Sequence, residues 1–325
     1  MTTIALAERL AAEYGERIRA AARGDVRLLP LRGEHGEAGL DEAEIAVYGG
    51  YEGALPFRDL IDRMPRLAWI HSTGAGIDSF ASPELARRGV IVTNSSGLYA
   101  PAMAEYAVAG MVAVARDLRR LIAQQEERRW NHEPVSGSEL CGKRLGIVGY
   151  GSTGRYLATV CRALGMEVWA TRRKAALTMG EPVDRLLPAE SLHELLAASD
   201  YVVVTASLNS TTRHLFGEAE FRALRPGAAF VNVARGGLID QEALLRALDD
   251  GRVRGAVLDV VTPEPLPPDH GLHHLPNVFL TPHLAGNEGS DLARMGMFAA
   301  EELRRYAMGA PLRGRIDPAV LARLA

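Results

Sequence analysis

The 325-residue chain is poor in cysteine: Cys141 and Cys161 are its only two, and they offer neither a disulfide framework nor the paired spacing of a zinc site. Such usage suits a reducing compartment, so the expected location is the cytoplasm, and no metal is expected. Lysine is nearly missing too, with Lys143 and Lys174 alone among 37 basic residues; arginine makes up the rest, which we read as genomic bias. Long apolar runs are absent. In "MTTIALAERLAAEYGERIRAAARG" charges break every apolar stretch, so neither a secretory core nor a membrane span is expected there. Charge of one sign does not dominate either. A net charge of -3 argues against a nucleic-acid-binding surface and against an acidic tail.

What the chain does have is a regular alternation of short apolar runs and Ala/Leu-rich amphipathic stretches. This is the pattern of parallel sheets wrapped by helices, so the fold class is α/β, and the length allows two domains. "VRLLP", "EIAVYG", "LAWIHS" and "VIVTN" read as four strands before residue 95, with "TTIAL" a weaker fifth that runs directly into helix-like sequence. "RLGIVG", "MEVWAT", "YVVVTA", "AAFVNV", "VRGAVLDV" and "NVFLTP" form a second series with the make-up of a six-strand nucleotide-binding unit. Between the series, "PAMAEYAVAGMVAVARDLRRLIAQQEERRW" reads as one long helix, and "SDLARMGMFAAEELRRYAMG" as a closing one.

The second series opens on Gly149-x-Gly151-x-x-Gly154, set between a strand-like and a helix-like run. The first glycine permits a tight turn, the second lets the backbone approach a pyrophosphate, and the third lets helix and strand pack closely. Ser152 and Thr153 lie within that loop; Ala206 and Ser207, after "YVVVT", and Val233 and Ala234, after "AAFVN", are expected at the same cofactor edge. Proteins preferring NAD place Asp or Glu after the next strand to hold the adenosine ribose. Here "MEVWATRRKAA" places Arg172, Arg173 and Lys174 there, while Glu167 comes too early. Guanidinium groups suit a 2'-phosphate, so NADP(H) is the expected preference, with NAD(H) second. A solvated basic turn would read the same way.

Three polar residues follow later strands: Arg235 in "NVARGGLID", Glu264 in "LDVVTPEPLP" and His283 in "FLTPHLAG". Reduction of a 2-keto acid needs a cation for the carboxylate, a proton donor for the developing alkoxide and a partner for that donor. Arginine, histidine and glutamate supply these functions. Each also has a purely structural reading: a strand-end cap for Arg235, an exposed loop acid for Glu264, a packed histidine for His283, and a turn or helix cap for the neighbouring Asp259.

"NVARGGLIDQEALLRAL", "GAVLDVVTPEPLP" and "NVFLTPHLAG" together resemble the D-isomer-specific 2-hydroxyacid dehydrogenases, a family that includes phosphoglycerate dehydrogenase and the glyoxylate/hydroxypyruvate reductases. The resemblance extends from about "HSTGAGID" to the closing helix. It implies Arg235 as substrate anchor, Glu264 as orienting acid, His283 as proton donor and acceptor, and Asp259 near the nicotinamide. It also places the backbone amides of Ala75 and Gly76 on the substrate carboxylate. The implied architecture is two doubly wound parallel-sheet domains, Rossmann-like and flavodoxin-like. A cofactor domain at 98–285 is inserted into a discontinuous substrate domain, 1–97 plus 286–325, and the long helix implies a homodimer.

The chain departs from the family pattern at "TASLNSTTRHL", where Thr205 and Ser207 replace a histidine and a proline, and at Met103, where a smaller residue is common. Tyr99 stands either at the substrate mouth or in packing. The expected activity is NADP(H)-linked reduction of glyoxylate, hydroxypyruvate or a similar small 2-keto acid to the D-2-hydroxy acid. The competing readings are a dinucleotide-sensing corepressor-like protein and a phosphoglycerate, formate or phosphite dehydrogenase. Three retained catalytic residue types and the lack of long low-complexity tails count against the sensor, and the basic turn counts against formate and phosphite.

Overall fold

The computed structural model describes residues 1–31, 38–49, 57–76, 82–130, 137–173, 180–286 and 291–321. The chain divides into two compact units, Met1–Tyr99 with Glu288–Ala325, and Ala100–Asn287.

The first unit begins β1 (Thr2–Ala7), α1 (Glu8–Ala22), β2 (Val26–Leu31), β3 (Ile45–Tyr48), α2 (Phe57–Asp62), β4 (Trp69–Ser72), α3 (Pro83–Arg87), β5 (Ile91–Asn94). Its strands pair in parallel in the order β2-β1-β3-β4-β5, the flavodoxin-like arrangement. The weak "TTIAL" segment is therefore an interior strand, paired on both sides. Side chains alternate across the sheet: Ala5 and Ala46 join one core layer, while Ile4, Leu6, Ile45 and Val47 join the other.

The second unit contains α4 (Ala100–Ala115), α5 (Leu118–Glu126), β6 (Arg144–Val148), α6 (Ser152–Ala163), β7 (Glu167–Arg172), β8 (Arg185–Pro188), α7 (Leu192–Ala198), β9 (Tyr201–Val204), α8 (Glu218–Ala223), β10 (Ala228–Asn232), α9 (Gln241–Asp249), β11 (Val253–Leu258) and β12 (Val278–Leu280). Its parallel sheet runs β12-β11-β10-β9-β6-β7-β8. The four residues of β9 are fully buried, as a strand covered on both faces requires. The order reverses between β6 and β9, the switch point at whose strand carboxyl ends such sheets bind ligands. Back in the first unit, α10 (Asp291–Ala307) packs on α1. Gly296 allows it, since a Cβ there would lie 2.3 Å from the Tyr14 ring. The chain then reaches α11 (Pro318–Leu321).

Two expectations are corrected. Among the described residues the second sheet has seven strands, not six, because "RLLP" adds β8 at the edge. Only Leu187 of that strand is buried, and Pro188, which has no N–H, is tolerated at an edge. The long helix is two helices. Asp117 takes a left-handed backbone, φ 51°, between α4 and α5, a conformation a short acidic side chain tolerates. Its carboxylate pairs with Arg120 at 3.0 Å.

β4 also buries an ionisable group. Trp69 Nε1 donates to Thr93 Oγ1 at 2.9 Å, leaving that hydroxyl to donate to His71 Nδ1 at 2.8 Å. A neutral imidazole then carries its proton on Nε2, towards Ser95 Oγ at 3.2 Å, and Ser95 donates to the Ser72 carbonyl at 3.0 Å. Burial, aided by the Arg313 guanidinium, pushes the His71 pKa down to about 4. Below the ordinary value near 6.5 the unfolded chain takes up a proton that the folded chain refuses until about pH 4, so stability falls with pH across that window. His71→Gln is expected to flatten this acid loss by about 3 kcal/mol between pH 7 and 4, measured by urea unfolding. An unchanged slope would sink the assignment.

Candidate active site

After β10 the chain makes a turn braced by Asn232. Its side chain accepts from the Ala234 N–H at 3.1 Å and donates to the Arg235 carbonyl at 3.0 Å. Arg235 is half-buried, with extended backbone, and its guanidinium donates to the Ala234 carbonyl at 2.7 Å. The strand-end cap foreseen as its structural reading is therefore present, alongside whatever else the guanidinium does. Val233 and Ala234 are buried beneath the turn. Next comes Gly236, where a Cβ would lie 2.0 Å from the Val261 carbonyl oxygen. Only glycine lets this turn abut the loop after β11.

That loop carries Glu264. One carboxylate oxygen accepts from the Val261 N–H at 3.1 Å, and the other meets His283 Nδ1 at 2.9 Å. The pair is partly open to solvent, with side chains 45% and 39% exposed for His283 and Glu264. His283 has a left-handed backbone, φ 57°, which for a non-glycine residue persists only where its surroundings over-determine it. Asp259, 2% exposed, provides that restraint. Its carbonyl accepts from the His283 N–H at 2.8 Å, and its carboxylate accepts from Leu284 N–H at 2.7 Å, Ala285 N–H at 2.8 Å and the Thr281 hydroxyl at 2.7 Å. Tyr106 of α4 hydrogen-bonds to Thr281 in turn. Thus Glu264 and His283 meet directly, Asp259 anchors the His283 turn, and Arg235 adjoins the Glu264 loop through Gly236. Sequence reading missed Asn232, Thr281 and Tyr106, since nothing in their spacing marks them.

The glycine loop joins β6 to α6 at the switch point. Gly149 has φ 102°, and a Cβ there would lie 2.5 Å from the Ala206 backbone; a Cβ on Gly154 would lie 2.9 Å from the Gly149 carbonyl. Around Gly151 there is open space, so this backbone can be approached by a pyrophosphate. Ser152 and Thr153 form the first turn of α6, and Thr153 Oγ1 lies 3.8 Å from the Met103 sulfur. Thr205, where the family pattern has histidine, donates to the Gly149 carbonyl at 2.6 Å and so braces the loop; the Ser207 carbonyl accepts from Thr212 at 2.8 Å.

At the end of β7, Arg172 is half-buried and Arg173 exposed, while Lys174 lies outside the described residues. A carboxylate does approach this region, from further along the chain than sequence reading looked. Glu181, its side chain 2% exposed, accepts from the Tyr150 hydroxyl at 2.9 Å and from Arg155 at 2.6 Å. Burial and this carboxylate raise the Tyr150 pKa. Glu181 is engaged by those partners, while Arg173 is exposed and Arg172 half-buried. These residues fit a dinucleotide: room at Gly151, a turn only glycine can make, and guanidinium groups beyond it.

In the first unit, Ala75 and Gly76 follow β4. The Ser72 hydroxyl accepts from the Gly74 N–H at 3.1 Å, Ser95 N–H donates to the Gly74 carbonyl at 3.0 Å, and Asn94 donates to the Ala75 carbonyl. Tyr99 donates to the Thr73 carbonyl at 2.9 Å. Among the described residues, neither the Ala75 nor the Gly76 amide donates a main-chain hydrogen bond. No cluster of three or more His, Cys, Asp or Glu among them is placed to hold a metal ion, and no helix among them is long and apolar enough to cross a membrane.

Known proteins resemble this chain over most of its length. Residues 108–285 match the model of the D-isomer specific 2-hydroxyacid dehydrogenase NAD binding domain. A glyoxylate reductase of Aeropyrum pernix is 35% identical over 77% of this chain and 76% of its own length. A D-3-phosphoglycerate dehydrogenase of Archaeoglobus fulgidus is 33% identical over 80% of this chain, and the match spans about half, 49%, of that protein. Among solved structures, an NADPH-dependent glyoxylate/hydroxypyruvate reductase of Sinorhizobium meliloti, in complex with NADP and sulfate, has a TM-score of 0.82 at 26% identity, covering 99% of this chain and 100% of that one. With two doubly wound parallel sheets, a glycine loop at the switch point of the second, and a matched domain spanning more than half its length, the chain belongs to the D-isomer specific 2-hydroxyacid dehydrogenase family.

Proposed function

We propose that the protein reduces small 2-keto acids to D-2-hydroxy acids with NADP(H) as preferred cofactor, glyoxylate and hydroxypyruvate being the first substrates to try. The observation that carries this reading is the 2.9 Å pairing of His283 with Glu264 in a loop that abuts the Arg235 turn. Glu264 on Nδ1 orients the imidazole and leaves Nε2 as the nitrogen that delivers a proton to the keto oxygen. Arg235 holds the substrate carboxylate with its planar fork. By family likeness the Ala75 and Gly76 amides assist it. Asp259 keeps the His283 turn in place near the nicotinamide. When bound, the dinucleotide supplies the hydride, held by Gly149, Gly151, Ser152, Thr153 and Gly154, with Ala206, Ser207, Val233 and Ala234 at its edge.

Arg172, Arg173 and Lys174 are assigned to the 2'-phosphate, a reading supported by NADP in the Sinorhizobium meliloti neighbour. A homodimer through α4 and α5 is proposed from family likeness and from the exposed apolar side chains of Val112, Leu121, Ile122 and, just beyond α5, Trp130, the last 93% exposed. The cytoplasm is the proposed location.

A panel of keto acids assayed with NADPH and NADH tests the reading. Wild-type protein is expected to favour NADPH in kcat/KM, and Arg172→Ala/Arg173→Ala to erase roughly tenfold or more of that preference, since charge-assisted bonds to the 2'-phosphate contribute about 1.5–3 kcal/mol each. A wild-type preference for NADH overturns the cofactor assignment. No turnover with any keto acid overturns the activity.

A further inference from the structure

The Glu264 loop has little of its own to hold it. Among the described residues, the backbone of residues 260–266 makes no main-chain hydrogen bond, and Pro263 and Pro265, on either side of Glu264, have no N–H to offer. Thr262, Pro263 and Glu264 are exposed. The Glu264–His283 bond is itself open to water, which competes for both partners. Within the loop the Val261 N–H holds one Glu264 oxygen at 3.1 Å, and a hold from outside the loop adds to that single bond.

Gln241, the first residue of α9, does this. Asp240 caps that helix, accepting from Glu242 N–H at 3.1 Å and Ala243 N–H at 3.2 Å, so the start of α9 is well determined. The Gln241 amide then makes two bonds to one residue: Nε2 donates to the Thr262 carbonyl at 2.7 Å, and Oε1 accepts from the Thr262 N–H at 2.6 Å. This pairing imitates a strand partner and needs a side chain that both donates and accepts; a carboxylate could make only the accepting half. Gly236, on the same turn as Arg235, packs against the neighbouring Val261 carbonyl, and the Val261 N–H bonds to Glu264. The segment from Arg235 to Gln241 therefore grips two successive residues of the Glu264 loop.

We propose that Gln241 is a positioning residue for the Glu264–His283 pair, clipping Thr262 so that the Glu264 carboxylate stays against His283. The proposal rests on the reading of that pair as the proton-delivering couple, and it adds that substrate anchor and orienting acid are set by a single seven-residue turn. Among the described residues Gln241 makes no hydrogen bond to His283 or Glu264, so it acts on them through the loop.

The test uses the full chain with Gln241→Met, Gln241→Glu, Glu264→Gln and the double variant Gln241→Met/Glu264→Gln. Gln241→Met is expected to lower kcat for keto-acid reduction about tenfold or more, the scale of effect that follows misplacement of a catalytic group. NADPH affinity is expected to stay within about twofold, because the glycine loop is untouched. Gln241→Glu, which keeps only the accepting half of the pairing, should fall between wild type and Gln241→Met. In the Glu264→Gln background the Gln241→Met change should cost less than about twofold, because its route of action is already gone. An equal loss in both backgrounds overturns the proposal. Ring-nitrogen NMR of His283 reports the pairing without turnover. A changed spectrum in Gln241→Met with no keto-acid activity in any form would uphold the clip and defeat the functional reading; an unchanged spectrum would defeat the clip.

Discussion

His283→Ala is expected to lower kcat for keto-acid reduction by about a hundred- to ten-thousandfold, the range contributed by a positioned general acid. NADPH affinity, read by fluorescence titration, should stay within about twofold. The split follows from where the groups sit. His283 stands after β12 at one end of the seven-stranded sheet, and the glycine loop follows β6, with three strands, β11, β10 and β9, between them. Alanine removes the proposed proton donor and leaves the loop untouched. Since Asp259 restrains the turn by backbone amides as well as through Thr281, the truncated residue should keep its path. Equal loss of dinucleotide affinity and turnover would show that the substitution had disturbed the unit as a whole, and full activity would remove His283 from the chemistry.

Arg235→Ala should cost about 2–5 kcal/mol in kcat/KM for the keto acid, roughly thirtyfold to several thousandfold, as expected when one partner of a hydrogen-bonded charge pair is truncated. Arg235→Lys separates charge from geometry. A lysine keeps the cation and loses the planar fork, so recovery should be partial. The Asn232 brace acts on the backbone of Ala234 and Arg235 rather than on the guanidinium, so both variants should keep the turn. Full recovery by lysine would mean that Arg235 acts as a point charge. An unaffected kcat/KM in Arg235→Ala would leave it as the strand-end cap that its bond to the Ala234 carbonyl already makes it.

The α/β class and the two strand series were readable because both sheets bury their interior strands on two faces, and such strands appear in sequence as short apolar runs bounded by turn residues. What was not readable has identifiable causes. "RLLP" hides because an edge strand needs neither apolar alternation nor a full set of donors. The break at Asp117 carries no glycine or proline; it depends on one aspartate accepting a left-handed backbone and pairing with Arg120. At the candidate site, the residues proposed for the chemistry, Arg235, Glu264 and His283, stood out by side-chain type. Residues that act by holding others did not. Glu181 was missed because the sequence rule looks for an acid at the end of β7, whereas this one returns after residues 174–179. Gln241 and Thr281 look like ordinary helix-start and strand-end residues until their partners are known.

The strand order of the second sheet also bears on redesign. Neighbouring strands lie about 4.8 Å apart, so Arg172 at the end of β7 and the Arg235 turn after β10 are separated by three spacings, on the order of 14 Å, and the His283 turn after β12 by more. Energetic effects at that range usually sum independently. On the roles proposed for these arginines, coenzyme choice would be retooled beyond β7 and acid specificity beyond β10, with each set of changes optimised separately and then combined in one gene.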